Sequence, residues 1–190
     1  MCTLKLIIIS GLPGSGKSTL AEGIAKKLRL PIFSVDPIES SIIKSGIPRS
    51  FETGLAAYLI AEALAAEQLK LNLSIIIDAV SAVEEAREMW RTLAKKFNAA
   101  LIIIECVLSQ ELHQSRIKSR VRNMHGIPEV TWDDVESCRR TYLPWDEERL
   151  IIDSANELNK NLDAALEYIG ESLEQKIPYR QNKVVKYHKS

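Results

Sequence analysis

An aliphatic run that passes straight into a glycine-rich turn and then into a helix leaves a chain few choices of fold. Here Leu4 to Ile9 is continuously apolar, Gly11 to Thr19 reads GLPGSGKST, and Lys17 to Leu28 has helical period. The nonapeptide satisfies GxxxxGK[ST] in the strand-turn-helix context that its mechanism requires. Gly11, Gly14 and Gly16 allow backbone angles and a close approach that a Cβ would forbid, so that consecutive amide N–H groups can converge on one anion. The helix that starts near Lys17 adds the positive end of its dipole. A nucleoside triphosphate is the ligand this turn predicts, with Pro13 and Ser15 completing the loop, Lys17 reaching the β and γ phosphates, and Ser18, followed by Thr19, offering a hydroxyl to Mg2+.

The rest of the chain repeats the alternation. Continuous apolar runs recur at Ile32 to Val35, Ser74 to Ile77, Leu101 to Val107 and Leu150 to Ile152. Unbroken apolarity means burial on both faces, as in a parallel sheet covered by helices. The intervening segments, Gly54 to Leu71, Val83 to Phe97, Gln110 to Arg122 and Leu158 to Glu174, are rich in Ala, Leu, Glu and Lys. Strand and helix in alternation predict right-handed crossovers and a three-layer α/β sandwich. Pro37 to Thr53 and Asn123 to Pro144 break the rhythm with Gly, Pro and charge, the composition of lids and substrate loops. One domain over residues 1–175 is expected, with a helical lid near 116–144 and a frayed basic tail over 176–190 that has the option of docking as an arm.

Composition removes several classes of function. With 46% hydrophobic and 26% charged residues the 190-residue chain lies far from the disordered range. Lys+Arg 25 balances Asp+Glu 25, so no global field draws it to nucleic acid or anionic lipid. Cys2, Cys106 and Cys138 form neither CxxC spacing nor an even set, which points to reduced thiols and a cytoplasmic setting. No run approaches the roughly 20 apolar residues of a membrane span. His113, His125 and His188 lack metal-ligand spacing and are expected at the surface or in the lid.

Phosphate chemistry needs acids and cations beyond the loop. Asp78 closes the third apolar run, at the carboxyl edge of the sheet where open α/β folds bind ligands, as a Walker B carboxylate would. Asp36 follows the second run at the same edge and is the candidate base for an acceptor hydroxyl. A helix N-cap or a turn is the alternative role for either acid. Arg116 and Arg120 share one helix face before the irregular segment, with Arg122 near its end, positions from which guanidinium groups of a closing lid can stabilise transferring phosphate. Solvated surface arginines are the competing explanation. Trp90 is expected in the core, whereas Trp132 and Trp145 flank a post-lid helix and could pack or stack on a base.

These residues together resemble a P-loop kinase of the group that includes chloramphenicol phosphotransferase, zeta toxin and polynucleotide kinase, and most closely its small bacterial "AAA family ATPase" or predicted-kinase members. The resemblance spans nearly the whole chain, through SVDPIESSI around Asp36, TGLAAY from Thr53, IIIDAV at the third strand, AREMWRTLA and RIKSR at Arg116. It implies a five-stranded parallel sheet in the order 2-3-1-4-5, ATP on the loop, Asp36 as acceptor-activating base and an arginine lid.

The expected function is ATP-dependent, Mg2+-assisted transfer to a hydroxyl of a small molecule, carried by Lys17, Asp36, Arg116 and Arg120, with Arg120 also touching the nucleotide. The protein is expected to be a monomer or homodimer with ATP and a small-molecule acceptor as partners and no membrane role, nucleic acid entering only in an alternative reading. An ATPase or nucleotide switch is the principal alternative, and a nucleic-acid end kinase the next. GTPase markers are missing: Asp78 is followed by Ala79 and Val80 without a DxxG glycine, and no NKxD occurs.

Overall fold

The computed structural model describes residues 4–121 and 124–171. Five strands form one parallel sheet: β1 (Lys5–Ser10), β2 (Ile32–Ser34), β3 (Ile75–Asp78), β4 (Ala100–Val107) and β5 (Leu150–Asp153), in the order 2-3-1-4-5. The alternating side chains of β1 show why its run is unbroken. Leu6 and Ile8 pack on one face with Ile75, Ile77 and Trp90, while Ile7 and Ile9 pack on the other with Ile24, Ile76 and Ile104. Each face is covered by helices: α3 (Phe51–Lys70) and α4 (Glu84–Lys96) on the first, α1 (Lys17–Leu28) and α7 (Leu158–Glu171) on the second. Each fully buried aliphatic side chain stabilises this arrangement by about 1.5–3 kcal/mol. No helix among the described residues is long and apolar enough to cross a membrane.

Three remaining helices shape the carboxyl edge: α2 (Val35–Lys44), α5 (Gln110–Ser119) and α6 (Trp132–Thr141). The second of them corrects nothing in place but ends early, with Arg120 as an extended C-cap. Of the other two, α6 is the helix expected beside Trp132, while α2 corrects the expectation of an irregular insertion after the second strand. Pro37 to Thr53 is largely helical, because Pro37 falls in the first turn of α2, where its missing N–H has no intrahelical partner to lose. Within Asn123 to Pro144 a capping box between Thr131 and Asp134 starts α6, with the Thr131 Oγ1 to Asp134 carboxylate bond at 2.7 Å. Arg122, Cys2, His188 and the basic stretch from Lys176 to Ser190 lie outside the described residues.

Candidate functional site

The loop after β1 is shaped by contacts as well as by its own glycines. Gly11 has φ 137°, and a Cβ there would lie 2.3 Å from the Cys106 carbonyl oxygen. Gly14 has φ 82°, with Ile117 of α5 2.4 Å from where a Cβ would stand. Gly16 caps α1 without a side chain, so the N–H groups of the first turn face the opening instead of a capping oxygen. The Leu12 carbonyl accepts from the Ser15 amide at 3.1 Å and from Lys17 Nζ at 3.1 Å. Lys17 is thereby held, 8% exposed, across its own loop.

A cavity of about 500 Å³ opens over this turn. Pro13, Gly14, Gly16, Lys17, Ser18 and Thr19 line one wall; Arg116, Arg120 and Asp36 come from α5 and α2. Ser154, Asn156 and Asn161, beyond β5, complete the rim. Arg116 donates to the Ser154 carbonyl at 2.6 Å and holds its guanidinium beside the Gly16 end of the loop. Nine of the residues expected from the sequence therefore meet in one space. Cationic groups outnumber acids there, which suits a polyphosphate.

Gly11, Ser15 and Asp78 are not among the lining residues. Gly11 and Ser15 border a smaller cavity of about 190 Å³ behind the loop, with Glu105, His113 and Tyr142. Asp78 is the last residue of β3, paired in register with Ile9 and Ser34, and accepts from the Ser34 hydroxyl at 3.2 Å. Asp36 is displaced from its expected place on the strand end: β2 stops at Ser34, and Asp36 sits in the first turn of α2.

Two residues escaped the sequence reading. His113 is not a surface histidine; it is 1% exposed, and its Nε2 lies 2.7 Å from the Pro13 carbonyl, joining α5 to the phosphate loop. Burial lowers its pKa below the ordinary 6.5, so the neutral ring is favoured, with Nε2–H the donor to Pro13. Its ring meets Trp132 of α6 edge-on at 5.6 Å. The spacing from His113 to Ile117, both buried on one face of α5, was the available signal.

Arg87 of α4 is 1% exposed, donates to the carbonyls of Ser81 (3.0 Å), Leu143 (2.5 Å) and Pro144 (2.8 Å), and lies over the rings of Tyr142 and Trp145. It anchors the chain leaving α6, while the Tyr142 hydroxyl meets Ser10 Oγ at 2.9 Å at the end of β1. Trp90 and Trp145 are core residues, 0% and 3% exposed. Burial pushes the Cys106 thiol up to about 12, so Cys106 is no nucleophile.

A family profile described as "AAA domain" matches residues 6–142. The chain belongs to this family of P-loop kinases. It is 28% identical over 146 residues to the bifunctional polynucleotide phosphatase/kinase of Schizosaccharomyces pombe, a match covering 76% of this chain and 31% of that protein. The chain spans about three tenths of the length of the curated relatives it matches. Among solved structures, a kinase candidate from Chloroflexus aurantiacus is 25% identical, with a TM-score of 0.72 over 88% of this chain and 99% of that one. The APS kinase of Mycobacterium tuberculosis, solved with AMPPNP and APS, shares 15% identity at a TM-score of 0.68, covering 90% of this chain and 99% of that one. At that identity the likeness speaks for the fold alone.

Proposed function

We propose that this P-loop kinase moves the γ-phosphate of ATP to a hydroxyl of a small-molecule acceptor. The observation that carries the proposal is the convergence of Lys17, Ser18, Arg116, Arg120 and Asp36 on one cavity over the phosphate loop. In this reading the first-turn amides of α1 and the Lys17 ammonium hold the β and γ phosphates. Arg116 and Arg120 approach from α5 to offset the charge that spreads over the γ oxygens during transfer. Asp36 orients the acceptor hydroxyl and takes its proton.

Magnesium fits the oxygen donors at hand, the Ser18 hydroxyl and the Asp78 carboxylate, and when bound it supplies neutralising charge at the phosphate oxygens. Asp78 stands at the end of β3 beside the last residues of β1, a place from which a carboxylate can act through metal-bound water. The rims formed by α2 and by the segment after α5 would enclose the acceptor, and such loops vary in one fold from substrate to substrate.

Transfer to a nucleic-acid end is a second reading, favoured by the polynucleotide phosphatase/kinase relative. Both are tested by ADP production from ATP and Mg2+ against a panel of sugars, nucleosides, other metabolites and oligonucleotides with a free 5′ hydroxyl, read by phosphorylated product. An accelerating acceptor identifies the substrate class. Turnover that ignores every acceptor and survives Asp36→Asn would instead mark an ATPase or nucleotide switch.

A further inference from the structure

Leu12 and Pro13 are consecutive in the phosphate loop, and their carbonyl groups are held by different donors. Leu12 accepts from within the loop, from the Ser15 amide and from Lys17 Nζ, both at 3.1 Å. Pro13 accepts from outside it, from His113 Nε2 at 2.7 Å, across 100 residues of chain. The peptide that links Pro13 to Gly14 is planar and trans, so its carbonyl and its N–H point in opposite directions. A donor that fixes the carbonyl therefore fixes the N–H. His113 borders the small cavity behind the loop, whereas Gly14 lines the large cavity in front of it. Drawing the Pro13 carbonyl back to His113 turns the Gly14 amide to the front, where a polyphosphate would lie. Without a brace this peptide would turn over easily, because a glycine accepts either sign of φ at little cost.

We infer that His113 is a positioning residue of the phosphate loop: through the Pro13 carbonyl it aims the Gly14 amide at the triphosphate. The inference rests on the reading of the loop as a nucleotide site and adds to it a residue that touches no nucleotide. His113 suits the task because it is itself fixed. Its ring is 1% exposed and meets Trp132 of α6 edge-on at 5.6 Å. One helical turn further along α5, Ile117 covers Gly14, its Cδ1 2.4 Å from where a Cβ would stand. Arg116 of the same helix donates to the Ser154 carbonyl at 2.6 Å and ties α5 to the chain after β5. Burial and, less strongly, the cations Arg139, Lys17 and Arg116 favour a neutral ring over the pull of the Pro13 carbonyl. A neutral imidazole carries one N–H, and the Pro13 carbonyl requires it on Nε2. An amide aimed in advance makes its charge-assisted hydrogen bond to a phosphate oxygen without reordering the loop on binding.

The test is calorimetric titration of the full chain with ATP and Mg2+, joined to nitrogen-15 NMR. His113→Leu, which fills the space without a donor, should weaken ATP binding by about 10-fold at temperatures well below its melting point. His113→Gln, which keeps an N–H donor, should recover most of that loss, a rescue that a merely space-filling role would not give. In the wild type the imidazole spectrum should place the proton on Nε2, and the Gly14 amide proton should shift downfield when ATP and Mg2+ are added. These two wild-type readings decide the matter even where His113→Leu does not fold. A proton on Nδ1, a Gly14 amide indifferent to ATP, His113→Leu binding as tightly as wild type, or His113→Gln binding as weakly as His113→Leu overturns the inference. A wild type that binds no ATP removes the nucleotide reading and the inference with it. A wild type that binds ATP, is weakened by Lys17→Ala and is indifferent to His113→Leu removes the inference alone.

Discussion

Two neighbouring strands lead into an acid at the carboxyl edge of the sheet, and the fold surrounds the two acids differently. Asp78 remains in the sheet as the last residue of β3, 6% exposed, with Ser34 donating to it. Asp36 follows a strand that has already ended; the first turn of α2 lifts it out of the sheet to line the large cavity together with Lys17, Arg116 and Arg120. A strand continuing to the acid fixes it in the sheet edge. A helix beginning before it carries it to the wall of the cavity, where the proposed acceptor would lie.

If that contrast is right, Asp36→Asn should carry the largest effect. The rate of acceptor phosphorylation should fall by about 10²–10⁴ while ATP affinity holds, because a neutral amide cannot accept the proton. Steady-state kinetics with separate nucleotide titrations checks this, and retained turnover would place Asp36 with the structural acids. Lys17→Ala should come next, lowering triphosphate affinity by roughly 10–100-fold as one charge-assisted contact is lost. Calorimetry that finds the affinity unchanged would deny Lys17 its phosphate role.

Asp78→Ala should act on stability where Asp36→Asn does not. Removing the acceptor leaves the Ser34 hydroxyl orphaned at the sheet edge and should cost about 1–2 kcal/mol in urea unfolding, against less than about 0.5 kcal/mol for Asp36→Asn. Equal losses for the two would erase the distinction. The smallest effect is a pH slope at His113. Its folded pKa lies below the ordinary 6.5, so the unfolded chain binds the proton first; the contribution to stability is complete above 6.5 and is lost as pH falls from there toward the folded value. His113→Gln, which keeps an amide donor near Pro13, should flatten that slope relative to wild type in melts taken across this range.

The legibility of the site followed the same division. Gly11 to Thr19 could be placed from the chain alone because each requirement is local: positive φ at the glycines, a helix start at Lys17, an aliphatic strand before. The sheet order came with the family resemblance, and the five apolar runs located its strands to within a residue. His113 and Arg87 were missed for a shared reason, since each is a polar residue on a buried helical face whose partners are carbonyls remote in sequence. Arg87 recurs in step with Trp90 and Ala94 along α4, so a charge on the apolar stripe was the clue. Pro37 to Thr53 was misjudged because proline was taken as a breaker where the first helical turn tolerates it.

Local backbone chemistry thus determined, with no help from packing, that this chain carries a phosphate-binding turn between a buried strand and a helix. Tertiary structure alone decided which groups face that turn. Pro13 meets His113 and Arg116 meets Ser154 across 100 and 38 residues of chain, and α3 buries Ala57, Ala61, Ala65 and Leu69 while Leu55, Leu59 and Leu64 stay exposed. Such meetings depend on how layers pack and which surfaces lose water, free energies that no short window of residues contains.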